Sequence, residues 1–448
     1  MGTTSSTPRI ALPNAHAREL EKISLAPFVA VLYAYCAGGP FGFEAMVSTS
    51  GPGMALIFIL VVPWLFSVPV ALATAEMSTA MPVEGGFYRW TRAAFGKFWG
   101  FQCGWWNWTG SFLMWSSYGV VLADYVAQVA PVRSRFLHWS IAFVFLVLVA
   151  WLNILGIRLV GKLTLILLLL ALVPVAIFTY LGFSHARFNP FHPLMPPARP
   201  GREVYGVGLA LALWIYSGYE QVSTVIEEVE DPVRNFPRGL AIVVPLAAIS
   251  FFFPIAAGLA ALGNWQEWQT GYLVTAARLV GEHAMEAAAF AAAAICTFVL
   301  LDSTVLSVSR VPFAMAEDGY LHASLARLHP RFKTPVRAIV ISTVICAALA
   351  VASVTQLIAI YAWMRSATSV LTLLSVWRLR RTAPDLKREF VVPGGEIGLA
   401  AVVVVPIALF AWALINSAPS TRLWGVACLA SGPLAYLAVK RRPVGRSV

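Results

Sequence analysis

Apolar runs of about 20 residues recur along nearly the whole chain, and no other feature restricts its fold as much. Wound as a helix at about 1.5 Å per residue, such a run crosses about 30 Å of hydrocarbon. Inside lipid every peptide N–H and C=O needs an internal partner, so runs of this length are helices. Twelve are counted, at 23–48, 54–80, 98–128, 136–156, 161–182, 204–228, 237–262, 286–313, 336–352, 355–377, 397–416 and 422–439. A soluble protein with buried helices fails on charge. Only 12% of the 448 residues are charged, against about 25% in soluble domains, too few to coat a water-facing surface. The expectation is an all-α polytopic membrane protein.

Between the seventh and eighth runs lies a wetter amphipathic piece, WQEWQTGYLVTAARLVGEH. No stretch is large enough for a separate soluble domain. The first 22 residues are polar, and the run after them is too long and too interrupted for a cleavable signal. Residues 1–22 and 440–448 read as tails, too short for the signalling extensions that a non-transporting nutrient sensor carries.

The basic residues set an orientation. With the N-terminus inside, 24 of the 32 Lys and Arg residues fall in inner loops, tails or the adjoining span edges, 7 fall outside, and Arg365 alone lies deep within a span. The positive-inside rule then places both termini in the cytoplasm of a cell with this protein in its plasma (inner) membrane. The net charge of +11 needs no nucleic acid partner, because these residues flank helices beside an anionic lipid leaflet. The five cysteines all sit in apolar runs without metal-ligand spacing and read as small core residues. There is no phosphate-cradling glycine loop, no convincing nucleophile–base pair and no metal cluster in the sequence. An enzyme, a cofactor and a bound metal are therefore not expected.

Two runs are interrupted at mid-depth. The first reads YAYCAGGPFGFEAM, with Gly38, Gly39, Pro40 and Gly42 together, and the sixth reads WIYSGYEQ, residues 214–221. Glycine weakens a helix and Pro40 removes a donor. Irregular backbone at that depth survives only where it is buried in protein or lines a cavity. A single AGGPFG would pass as a proline kink. Two breaks five runs apart point to two inverted five-helix repeats, 23–182 and 204–377, with a site where they meet and 397–439 as two added helices.

Four stretches now carry a resemblance. AGGPFGFE, ALATAEMSTAMPVEGGFYRWTRAAFGKFWGF, WIYSGYEQVSTVIEEVEDPVRNFPRGL and SRVPFAMAEDGYLHASLARLHPRFKTPVRAI resemble the amino acid–polyamine–organocation superfamily of secondary transporters. GGPFG followed by Phe43 and Glu44, LNILGIRLVG and YEQVSTVIEEVEDP are similar to its polyamine–proton symporter branch. The resemblance implies a leucine-transporter-type fold with discontinuous helices one and six. It departs in helix three, where this chain has QCGWWNW with Cys103 and Asn107. It departs again in span five, which lacks the internal lysine that stands in for sodium in some amino acid permeases.

Breaking two helices exposes half-helix ends, positive at N-termini and negative at C-termini. The expected substrate site lies between the backbone of Ala37, Gly38, Gly39 and Gly42 and that of Trp214, Ile215, Tyr216, Ser217, Gly218 and Tyr219. Glu220 would accept a proton or face a substrate ammonium; a hydrogen bond to neighbouring backbone is the competing reading. Glu44 would hold the distal amine of a diamine, or partner polar groups on another helix. Trp214, which the resemblance puts at the gate, would form aromatic walls with Tyr219, Tyr216, Trp105 and Trp106; helix packing is the alternative for each ring. Asp302 and Ser303, in LLDSTVLS, would take a coupling proton or sodium ion or be structural. Arg365 would neutralise one of the acids or hold a substrate carboxylate. Glu76 and Asp124 read as structural groups near helix ends. Glu227, Glu228, Glu230 and Asp231 are expected to pair with Arg89, Arg92 or Arg234 as an inner gate or loop brace. The function expected is proton-coupled import of polyamines or cationic amino acids by alternating access. An amino acid permease or exchanger is the alternative.

Overall fold

A computed structural model of the chain describes residues 20–129, 132, 134–197, 201–351, 354–416 and 419–440. Most of both expected tails, with Arg9, Arg18, Arg441, Arg442 and Arg446, lies outside the described residues, as do Arg133 and Arg199. The described chain runs through α1 (Leu25–Cys36), α2 (Ala45–Ser50), α3 (Pro52–Val62), α4 (Val68–Ala80), α5 (Gly86–Phe95), α6 (Lys97–Val129), α7 (Arg135–Ile154), α8 (Ile157–Ser184), α9 (Gly201–Ile215), α10 (Pro232–Leu262), α11 (Tyr272–Val308), α12 (Arg310–Glu317), α13 (Val336–Leu349), α14 (Val354–Thr382), α15 (Gly395–Ile415) and α16 (Pro419–Lys440). No strand forms among the described residues.

Seven described helical stretches are long and apolar enough to cross a bilayer, and α1 and α13 are shorter apolar helices. The expected twelve runs exceed seven for physical reasons. The first and sixth are split into pieces too short to cross alone. α6 and α14 have ample length but carry Trp, Ser, Thr and, in α14, Arg365. The wet piece after α10 is not a loop throughout: from Tyr272 it is the first part of α11, joined to the apolar part through a kink at Gly281 and Glu282.

Both expected breaks are present. α1 stops at Cys36, where the N–H groups of Ala37 and Gly38 both donate to Tyr33 O at 2.8 and 3.1 Å. The chain then runs irregularly to Glu44, with φ of 64° at Gly38. A Cβ on Gly38 would come 2.3 Å from Leu300 Cδ1 of α11, so this turn requires glycine for both its backbone angle and its packing. α9 stops at Ile215, and a tight helical turn, Gln221–Glu228, resumes after Glu220. α1 packs against α8, α10 and α11, while α2 packs against α9, so each broken helix is held by neighbours along its length.

The distribution of polarity is inverted relative to a soluble protein. Trp64, Phe136, Val144, Leu169, Val173 and Ile397 are exposed, whereas Glu44, Glu76, Glu220, Asp302, Arg310 and Arg365 are buried. Such an apolar exterior suits hydrocarbon, and ionisable groups inside a bundle must find partners there.

Candidate functional site

The two breaks touch. Gly218, at φ 128°, lies against the ring of Tyr35 at the end of α1: a Cβ there would stand 2.8 Å from Tyr35 Cδ1 and 3.3 Å from Cys36 Sγ. Directly after Gly218 and Tyr219 comes Glu220, 2% exposed. Its Oε1 accepts from Ser369 Oγ at 2.5 Å and lies 3.3 Å from Arg365 Nη2, both from α14. Tyr361, Arg365 and Ser369 are spaced four residues apart, which puts them on one face of that helix. Tyr35 and Cys36 of α1 and Tyr361 of α14 stand close enough to Arg365 to feel its charge, and Tyr118 of α6 feels it as well. None of the guanidinium nitrogens of Arg365 makes a well-formed hydrogen bond among the described residues. The arrangement is a buried carboxylate–guanidinium pair within electrostatic reach of three tyrosines, with donor capacity left over.

The other expected site residues divide between this cluster and the surrounding scaffold. Ile215, Tyr216 and Tyr219 are buried and Trp214 is half-buried. Tyr216 is a packing residue, donating through its hydroxyl to Ile59 O at 2.8 Å and resting 5.3 Å from the Phe251 ring. Ser67 Oγ donates to Tyr216 O at 3.2 Å, which ties the second break to the wide turn between α3 and α4. Ser217 Oγ turns back to Trp214 O at 2.8 Å. Tyr219 lies beside Tyr33, Cys36 and Ser67. Trp105 and Trp106 point away from the cluster: their indole N–H groups donate to Ser431 Oγ at 3.0 Å and Leu429 O at 2.9 Å on α16. They brace α16, because that face of α6 packs on α16 while another faces α14.

Glu44 also stands apart from Glu220. Its Oε2 accepts from the Gly42 N–H at 2.9 Å, and the backbone amides of Gly271 and Leu273, at the start of α11, face the same carboxylate. A carboxylate there complements the positive end of α11. Asp302 is fully buried between helices, its Oδ1 accepting from Asn153 Nδ2 of α7 at 2.7 Å, with Thr164 of α8 beside it. Among the described residues no basic side chain pairs with it. Ser303 is buried, with no hydrogen-bond partner for its Oγ among the described residues. Glu76 is more deeply enclosed than a helix-end residue, held by Arg380 through two hydrogen bonds and accepting from Val392 N–H at 2.9 Å. Asp124 is exposed and pairs with His138 at 2.7 Å.

Sequence reasoning missed Tyr35, Tyr118, Tyr361 and Ser369. The spacing in YAWMRSATS held a signal for the last two. Asn107, noted in the sequence only as a departure in helix three, donates through its amide to Gln221 Oε1 and anchors the start of the 221–228 turn to α6.

A second polar cluster lies where the described chain begins. Ile23 N–H donates to Glu228 O and Glu230 N–H to Ile23 O, both at 3.0 Å, a backbone clasp between the start of the first broken helix and the end of the second. Glu228 takes a two-pronged bond from Arg310, at 2.8 and 3.1 Å, with the arginine fully buried. Arg89 bonds Glu317 at 2.9 Å, and Arg92 and Tyr88 both bond Asp318. The expected partners of the 227–231 acids are thereby corrected. Arg310, adjacent to them in space, takes Glu228, while Arg89 and Arg92, on α5, are turned toward the end of α12. Asp231 begins α10 in a left-handed turn, its carbonyl accepting from Arg234 N–H at 3.1 Å.

An all-helical bundle, apolar outside, with paired charges at two interrupted helices, defines a multi-pass membrane protein. The amino acid permease family profile matches residues 28–430, and the chain belongs to that family. It is 29% identical over 405 residues to a probable polyamine transporter of Arabidopsis thaliana, covering 89% of this chain and 82% of the relative. It is 28% identical over 420 residues to the polyamine transporter PUT1 of Oryza sativa subsp. japonica, covering 92% and 77%. With the branched-chain amino acid permease BcaP of Bacillus subtilis it shares 26% identity over 391 residues, 79% of each chain.

Proposed function

We propose that the chain is a twelve-span secondary transporter that imports polyamines or cationic amino acids together with protons. In this reading 23–182 and 204–377 are inverted repeats, and the face carrying Ile23, Glu228 and Arg310 is cytoplasmic, as the Lys and Arg distribution argues. The names of the plant relatives favour polyamines. The carrying observation is the Glu220–Arg365 pair where the two breaks meet. A carboxylate sealed in protein keeps a cationic partner, so a substrate ammonium can enter by taking the place of Arg365 beside Glu220. The tyrosines around the pair offer ring faces to the alkyl ammonium. Glu44, at the far end of the first break, is the candidate for a second amine. Asp302, with only neutral partners among the described residues, is the candidate to carry the coupled proton.

A second reading has one observation in its favour. The guanidinium nitrogens of Arg365, which make no hydrogen bond among the described residues, suit a substrate carboxylate, and BcaP is named an amino acid permease. Purified protein in liposomes separates the two: labelled putrescine, arginine and a neutral amino acid such as leucine are offered with and without a pH gradient. Saturable putrescine uptake driven by an acidic exterior is the expected result. Uptake of neutral amino acids alone would establish the second reading, and no gradient-driven uptake of any amine or amino acid would end both. A thermal-shift screen over amino acids, their decarboxylation products and polyamines reports the solute class through ligand stabilisation.

A further inference from the structure

Three segments distant in sequence meet at the corner where α7 gives way to α8. Thr334 Oγ1 donates to Ile154 O at 2.9 Å, which seats residues 329–337 on that corner. Arg158 Nε donates to Lys22 O at 3.3 Å, which seats residues 20–24 beside them. Both segments close on Gly156: a Cβ there would stand 3.3 Å from Glu21 Oε2 and 3.7 Å from Phe332 O.

The shelf so formed is strongly basic. Residues 20–24, 155–162 and 329–337 hold Lys22, Arg158, Lys162, Arg331, Lys333 and Arg337, all exposed, against one carboxylate, Glu21. Glu230, bonded through its N–H to Ile23 O, adds an acid at the edge. Among the described residues none of the six cations forms an ion pair with either acid or with any other carboxylate. Elsewhere Arg89, Arg92, Arg310 and Arg380 each take a carboxylate, so the charge left over is concentrated here.

Two of these cations head apolar stripes. On α8, Lys162 precedes Ile166, Leu169, Val173 and Ile177, spaced three or four apart on one exposed face. On α13, Arg337 precedes Val340, Ile341 and Val344 in the same way. Exposed apolar stripes on a membrane bundle face hydrocarbon, and a Lys or Arg at the end of such a stripe reaches for the headgroup level. Trp151, in the last turn of α7, is exposed one turn before the corner, as tryptophans at membrane interfaces are.

We propose that this shelf binds an anionic phospholipid, its phosphate held by the six cations and its acyl chains lying along the stripes of α8 and α13. Charge alone would attract any anion; the stripes running on from Lys162 and Arg337 select one with long apolar chains. The leaflet is the one on the side proposed as cytoplasmic, where anionic lipid meets clustered Lys and Arg. The site goes beyond the transport reading and uses no residue of the Glu220–Arg365 junction.

Native mass spectrometry tests it on the full-length protein in detergent, equilibrated with equal amounts of phosphatidylglycerol and phosphatidylcholine of the same acyl chains. The unmodified protein is expected to hold phosphatidylglycerol with at least about fivefold preference, falling as salt is raised. Each cation removed weakens the anionic lipid about fivefold, so Lys162→Gln with Arg337→Gln is expected to erase most of that preference. Lys162→Arg with Arg337→Lys keeps both charges, is expected to keep the preference, and shows that the shelf tolerates substitution. Arg381→Gln with Lys387→Gln removes the same charge from the end of α14 and the loop after it, and is expected to leave the preference unchanged. Equal binding of the two lipids, or an equal loss in Arg381→Gln with Lys387→Gln, overturns the proposal. Displacement of bound phosphatidylglycerol by inorganic phosphate also overturns it, because the shelf would then be a site for soluble anions. Absence of amine uptake in liposomes ends the transport reading and leaves the lipid site standing.

Discussion

Arg365 Nη2 stands 3.3 Å from Glu220 Oε1, the two side chains 4% and 2% exposed. One comes from the middle of α14 and the other from the end of the second helix break, 145 positions apart in the chain. Removing one partner leaves an uncompensated buried charge, which costs about 3–5 kcal/mol. Glu220→Gln is therefore expected to lower the melting temperature in detergent and to abolish amine uptake. Arg365→Met in the Glu220→Gln background removes the orphaned charge, so stability should recover while transport stays lost. Recovery of both would show that the pair serves only the fold.

The breaks make a second prediction. Gly218 has φ 128° and lies against Tyr35, so Gly218→Ala meets both a disfavoured backbone and a 2.8 Å contact. The strain amounts to about 1–3 kcal/mol, and it falls on the junction proposed as the substrate site. Uptake should drop sharply, whereas Ser217→Ala, which loses only a local bond to Trp214 O, should leave uptake near the unmodified level. Equal effects of the two substitutions would argue against the junction.

These positions show what can be read before a fold is known. The breaks were legible because glycine and proline act locally, on their own backbone. Long helices were legible because apolar length is a local property, and α14 carried a further sign in the spacing of Tyr361, Arg365 and Ser369. Partnerships were not. Glu220 finds Arg365, Asp302 finds Asn153, Glu76 finds Arg380 and Glu228 finds Arg310 only after helices distant in sequence have packed. The aromatic residues were ambiguous for a related reason. A tryptophan in a membrane helix reads alike whether it faces a site, a neighbour or lipid, and only packing of α6 on α16 assigns Trp105 and Trp106.

Asp302 offers a test of coupling apart from binding. Its neighbours are Asn153 and Thr164, and neither brings a charge. Asp302→Asn replaces the carboxyl by a group of the same shape that exchanges no proton. It is expected to keep thermal stabilisation by substrate and exchange of substrate across the membrane, while accumulation driven by an imposed pH gradient collapses to equilibrium. Undiminished gradient-driven accumulation would remove Asp302 from the proton path and return that role to Glu220.

The last prediction concerns a residue whose type suggests a gate and whose bonds indicate a brace. Trp105 stacks on Phe101 at 5.8 Å and 14°, and its indole N–H donates to Ser431 Oγ at 3.0 Å. Trp105→Phe keeps most of the ring surface and loses one hydrogen bond, at a cost of about 0.5–1.5 kcal/mol. A residue that only braces α16 stands outside the proposed substrate site, so KM for uptake should be unchanged while the melting temperature falls slightly. A gate residue would behave in the opposite way, because exchanging an indole for a phenyl ring alters closure over the substrate and moves KM. Measuring both quantities on the same purified variant decides between the roles, and Tyr35→Phe supplies the contrast: it keeps the ring at the junction, removes the hydroxyl that feels the charge of Arg365, and is expected to raise KM.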